Sequence, residues 1–264
     1  MEPYEVYAVH YAHNPNARRA NNFIGGDPHD GPMPLDYFVW AIKGAAGTYV
    51  FDTGFDAPMG EKRKRQFVRS PSVGLKAIGV EPGDVRDVIL SHMHYDHCGN
   101  YDLFPHARYH VQDIEMAYAT GRCMCHAGLR GPFEEEDVVA MVRKLFAGRV
   151  VFHDGVDELA PGLTVHHVGG HSKGLQVVRA WTRRGWMVLA SDASTIQPRR
   201  VHTRTTCRPL ECPPTWCTVS PGANSSTPSW KTTRPANSLR TIATTSSSSN
   251  GPRRPGWHMH RPVA

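Results

Sequence analysis

Several things are scarce or missing in this 264-residue chain. The first residues carry no leader pattern: Met1 is followed by Glu2 and Tyr4, with no basic stretch and no apolar stretch behind them. The expectation is a cytoplasmic protein without a signal peptide. No apolar run approaches the roughly 20 residues a bilayer-spanning helix needs, so a membrane partner is not expected. The six cysteines (Cys98, Cys123, Cys125, Cys207, Cys212 and Cys217) form no regular framework, and reduced thiols are expected rather than a disulfide scaffold. Cys123-Met-Cys125 alone is too little to make a metal site.

Acids are almost absent from one region. From Ser194 onward there are ten Lys/Arg and one acid, Glu211, which leaves 20 basic and 23 acidic residues in 1–193. The net charge of +6 therefore belongs to the tail, and the mildly acidic body has no nucleic-acid footprint. The same tail is poor in aliphatics. Its 71 residues hold 22 Ser/Thr and ten Pro but only seven Val, Ile or Leu, and Thr244–Ser249 is a TTSSSS tract. Such a segment buries too little apolar area to offset the entropy of ordering it, so it reads as disordered.

The body alternates strand-like and helix-like segments, which argues an α/β class. Strands are expected over 4–11, 35–42, 48–51, 85–90, 107–111, 163–168 and 186–190. The clearest helix runs from Pro132 to Phe146, with acids at 134–137 and basic Arg143 and Lys144 before Gly148.

SHMHYDHCGN, residues 91–100, follows the apolar run Val88-Ile89-Leu90. His92 and His94 lie two apart, so in extended chain they point to one side. Asp96 and His97 follow in a turn. Imidazole nitrogens and a carboxylate suit a borderline ion such as zinc. Further ligands are expected at other strand ends: His171 in the glycine-rich HVGGHSKG, and Asp192 in VLASDAS. For His166 and His167 packing is favoured over ligation; His106, His110 and His153 read as surface or hydrogen-bonded histidines.

DTG at 52–54, SHMHYDH at 91–97, GGH at 169–171 and SDAS at 191–194 together resemble the metallo-β-lactamase superfamily, and most its N-acyl homoserine lactone lactonase branch. The resemblance covers roughly residues 4–194 and implies a four-layer αβ/βα sandwich with an incomplete second half. It implies two zinc ions: His92, His94 and His171 on one, Asp96 and His97 on the other, and Asp192 bridging. Asp52 would brace the cluster turn. The implied reaction is hydrolytic opening of a small-molecule lactone (quorum-sensing signal degradation), with Asp96 carrying the proton to the departing ring alkoxide. Hydrolysis of another lactone, ester or thioester, or an impaired metal-binding product, are the competing readings. Phe23, Ile24, Met33 and Phe38 line an acyl pocket in one reading and are ordinary core in the other.

The chain also departs from the family pattern. A tyrosine is expected three residues after Asp192, where Thr195 stands, and a last histidine further on; His202, His258 and His260 do not fit its context. Codons allowed for Ile242–Gly251, read two nucleotides on, can spell Ser-His-Asp-Glu-Leu-Val-Leu-Glu-Arg. The chain thus divides into a hydrolase domain over 1–193 and a tail over 194–264, either a native low-complexity segment or a product of a shifted reading frame.

Overall fold

The structure is a computed structural model and describes residues 1–22, 30–194 and 240–242. Two sheets face each other. The first takes β1 (Glu5–Asn14), β2 (Leu35–Gly44), β3 (Gly47–Phe51), β4 (Gln66–Phe67), β5 (Asp87–Ile89), β6 (Arg108–Gln112) and β7 (Val150–His153), in the order β4-β1-β2-β3-β5-β6-β7. The second takes β8 (Val156–Ala160), β9 (Leu163–His167), β10 (Gln176–Thr182), β11 (Gly185–Leu189) and β12 (Arg240–Ile242), in the order β12-β11-β10-β9-β8.

Period-2 alternation sends neighbouring residues of one strand into different cores. Val50 and Val88 face the helices, in a cluster with Val39, Leu75, Tyr109, Met116 and Met141. Phe51 and Ile89 face the second sheet, in a cluster with Trp40, Ile42, Leu163, Val165, Val178 and Leu189. A strand buried on both faces reads as an unbroken apolar run, which is why Val88-Ile89-Leu90 stands out in the sequence. Ile89 is fully buried, and truncating it to Ala would cost about 2–5 kcal/mol.

The main helices are α1 (Ala57–Lys62), α2 (Pro71–Ala77), α3 (Asp113–Ala119) and α4 (Glu135–Phe146). The last three pack on β1, β6 and β7 of the first sheet. The paired sheets, with these helices on the first, fit the αβ/βα sandwich expected from the sequence. The helix expected from Pro132 begins three residues later. Glu134 stays extended as the N-cap, and its carboxylate is held by Arg63 Nη2 and Lys62 Nζ, both at 2.6 Å. Among the acids at 134–137, Asp137 is turned inward and buried.

Tail residue Arg240 begins the short parallel partner of β11. No helix among the described residues is long and apolar enough to cross a membrane.

Candidate metal centre

Strand ends build the site. Phe51 pairs with Ile89 in parallel register, so the residues that follow β3 and β5 emerge side by side. Asp52 follows β3 with φ +62°, and Ser191 follows β11 with φ +46°. Both are left-handed conformations that a non-glycine residue enters at a cost on the order of 1 kcal/mol. Each re-aims the chain abruptly at a place where a carboxylate is needed. The third approach is the turn after β9, where Gly169 at φ +66° lets the chain reverse into His171.

These turns bring His92, His94, His97, His171 and Asp192 together. The donor atoms form two overlapping groups, His92/His94/His171 and His92/His97/Asp192, each with its atoms within 4.8 Å of one another. His94 Nδ1 lies 3.0 Å from His171 Nε2. Asp192 Oδ2 lies 3.1 Å from His171 Nε2, 3.4 Å from His97 Nε2 and 3.9 Å from His92 Nε2. One carboxylate oxygen thus touches both groups. Asp96 stands at the rim, its Oδ2 3.7 Å from His97 Nε2, and belongs to neither group.

Buried polar atoms nearly always find partners. Here the Nε2 atoms of His92 and His97 are buried and make no hydrogen bond among the described residues. Two orphaned imidazole nitrogens aimed beside a carboxylate fit a cation between them, and the donor set suits a borderline divalent ion.

Charge supports the same arrangement. Burial holds the His92 and His94 imidazoles well below their usual range, and the neighbouring histidines push the same way, so both rings are neutral, as metal ligands must be. Burial alone would lower His97 too, but the carboxylates of Asp96, Asp52 and Asp192 outweigh it and hold a proton there. A dication in that place would displace the proton and answer the same carboxylates. Burial opposes ionisation of Asp192, yet His97 and His171 overcome it and keep the carboxyl well below the usual range.

Around the donors lies a layer that fixes their orientation. Asp52 Oδ2 accepts from His97 Nδ1 at 2.8 Å and from Ser91 Oγ at 2.9 Å, while Oδ1 accepts from the Ser91 amide at 2.7 Å. Ser191 Oγ donates to Ser91 Oγ at 2.9 Å, tying the β11 turn to the β5 turn. Glu115 of α3 does the same for the remaining pair of loops. It is fully buried and accepts from the Met93 amide at 2.9 Å, the Gly174 amide at 2.8 Å and the Ser172 hydroxyl. A side chain on residue 174 would strike Glu115 at 2.4 Å, so the close approach requires glycine there. Gln176 Nε2 completes the scaffold by donating to the Leu90 and His110 carbonyls at 2.7 and 3.1 Å. Sequence reasoning missed Glu115, Gln176, Ser91 and Ser191. Only the serines left a signal, each standing directly before a ligand segment.

Other expected residues fall elsewhere. His166 and His167 are half-buried, bonded to Thr164 Oγ1 and the Lys173 carbonyl, outside both donor groups. His110 and His153 are buried and 3.0 Å apart, bonded to Asp87 and Asp157 in turn; His106 is exposed. Cys123 and Cys125 take no part in a donor group. Met33 is buried, and Phe38 packs beside Trp40 and His10 in the inter-sheet core. Phe23, Ile24, Thr195, His202, His258 and His260 lie outside the described residues.

Fold and donor set together define a sandwich protein with a candidate metal centre. Residues 33–229 match the model of the metallo-beta-lactamase superfamily, and the chain belongs to that superfamily. It is 32% identical over 123 residues to N-acyl homoserine lactonase AiiB of Agrobacterium fabrum, covering 45% of this chain and 44% of that protein. It is 30% identical over 121 residues to N-acyl homoserine lactonase AiiA of Bacillus thuringiensis subsp. kurstaki, covering 46% and 43%. The chain thus spans a little under half the length of these curated relatives. Among solved structures, a quorum-quenching N-acyl homoserine lactone lactonase shares the fold with TM-score 0.60 at 22% identity, over 74% of this chain and 76% of that one.

Proposed function

We propose that the chain is a zinc-dependent hydrolase that opens the lactone ring of N-acyl homoserine lactones. The observation that carries this reading is the pair of overlapping donor groups sharing Asp192 Oδ2, with the orphaned Nε2 atoms of His92 and His97 between them. The names of the relatives supply the substrate class.

His92, His94 and His171 would hold one ion, His97 and Asp96 the other, and Asp192 would bridge them. Two zinc ions held so would supply hydroxide near neutral pH and polarise the lactone carbonyl. The chain's own residues do the rest. Asp52 fixes the His97 ring through Nδ1, which keeps Nε2 directed at the centre. Glu115 locks the loop of His94 to the loop of His171. Asp96, raised above the usual carboxylate range chiefly by burial, would pass a proton to the ring oxygen as it departs.

The test is metal analysis of purified protein beside lactone ring opening followed by pH-stat. The reading expects more than one equivalent of zinc per chain, with ring opening that disappears on chelation. Protein that binds no metal would refute it.

A further inference from the structure

One half-buried guanidinium stands beside the turn that carries the ligands. Arg65 stands directly before β4, and its Nε donates to the Tyr95 hydroxyl at 3.2 Å. Tyr95 is the residue between His94 and Asp96. It is buried and packed against Phe55, with ring centroids 5.7 Å apart, and against the Arg63 guanidinium, 4.4 Å from its ring centroid. Tyr37 of β2 is an electrostatic neighbour of the Tyr95 phenol. Arg65, Tyr95 and Tyr37 all lie within electrostatic reach of Asp96, and Tyr37 also of Asp192. Donors from three separate segments therefore converge beside the site aspartates.

A guanidinium carries five N–H donors, and withdrawing it from water is costly unless they are satisfied. Two other half-buried arginines meet that demand. Arg63 donates to Glu134 and to the Gly131 and Phe133 carbonyls, and Arg149 to the Phe104 and Ala107 carbonyls. Arg65 is different. Among the described residues its side chain makes one hydrogen bond, through Nε, and no ion pair. None of its nitrogens is a buried atom without a partner, so the Nη groups face solvent and stand open to a ligand.

We infer that Arg65, held by Tyr95, is a specificity-determining residue whose Nη groups bind a substrate oxygen outside the ring being opened, the carbonyl of an exocyclic amide. The inference rests on the hydrolase reading above and names what that hydrolase selects. A site built to bond an oxygen rejects an analogue that lacks it, because its donors are then left unpaired. If Arg65 served only to offset the charge of Asp96, its loss would weaken all lactones alike.

The experiment uses the full, metal-loaded chain and two substrates: N-hexanoyl-L-homoserine lactone, and a γ-alkyl butyrolactone of matched length without the amide. For Arg65→Met the ratio of kcat/KM between the two is expected to fall about tenfold or more, mainly through KM, since bonds to charged groups are the strong ones. Arg65→Lys keeps the charge and should fall less, and Tyr95→Phe, which keeps the ring packing, should lie between. Equal losses on both lactones, or no loss, overturn the inference. If the wild type binds metal but opens neither lactone, the hydrolase reading fails separately. Calorimetric titration of N-hexanoyl-L-homoserine into wild type and Arg65→Met then still decides the role of Arg65: weaker binding by the variant supports it, and equal binding overturns it.

Discussion

Asp52 and His97 are 45 residues apart in sequence and 2.8 Å apart in space, joined from Oδ2 to Nδ1 in a buried contact. The carboxylate reaches that point only because residue 52 adopts a left-handed backbone at the end of β3. The ring it holds presents Nε2 to Asp192 at 3.4 Å. Orientation of one donor is therefore set by a residue that would touch no ion.

Asp52→Asn should accordingly weaken metal binding without removing a ligand. Loss of such an outer partner typically costs ten- to a hundredfold in affinity. Chelator competition, read by residual zinc, checks this; unchanged retention would mean that Asp52 serves the fold alone.

His94→Ala should abolish binding at the first ion position and with it hydrolysis. His167→Ala removes only a contact to the Lys173 carbonyl and should keep both metal and activity. If the two variants lose metal and turnover equally, strand and cluster have been assigned wrongly.

Much of this was legible in the sequence, for stated physical reasons. Val88-Ile89-Leu90 announced β5 because a doubly buried strand is apolar at every position. The donors announced themselves by residue type. Glu115 could not, since the groups it accepts from lie 22, 57 and 59 residues away and only the folded chain brings them together. The strand β10 is not legible in the sequence because QVVRAWT mixes Gln176, Arg179 and Thr182 into its apolar pattern. Gln176 is polar because it must bond the carbonyls under the cluster, not because it faces water. The acids at 134–137 mark a helix start in the sequence, but nothing in that pattern sets Asp137 apart, and in the fold it turns inward.

That burial gives a pH prediction. Burial, then the charges of Glu134 and Asp56, push the Asp137 carboxyl up to about 7, above an unfolded value near 4. The folded state then binds the extra proton, so this contribution is fully present below about pH 4 and is lost as pH rises through 7. Asp137→Asn should flatten the decline and stabilise the protein above pH 7, by an amount on the order of 2–4 kcal/mol. Urea unfolding at pH 5 and pH 8 reads it, and an unchanged slope would count against a protonated Asp137.

The tail carries a prediction of its own. If the frame shifted after Asp192, a chain re-read from codon 193 should be both more stable and more active than the 264-residue form. A tyrosine donor to the developing oxyanion is worth roughly a hundredfold in other hydrolases. Equal activity and equal melting temperature in the two chains would show the tail to be native.

The central claim is tested most directly by following ring opening of N-hexanoyl-L-homoserine lactone by pH-stat with the zinc-loaded chain, the chelated chain and the chelated chain given zinc again. The account predicts acid release by the first, none above background by the second, and recovery in the third. Ring opening that survives chelation, or a chain that holds zinc in its His/Asp cluster yet releases no acid, would contradict it.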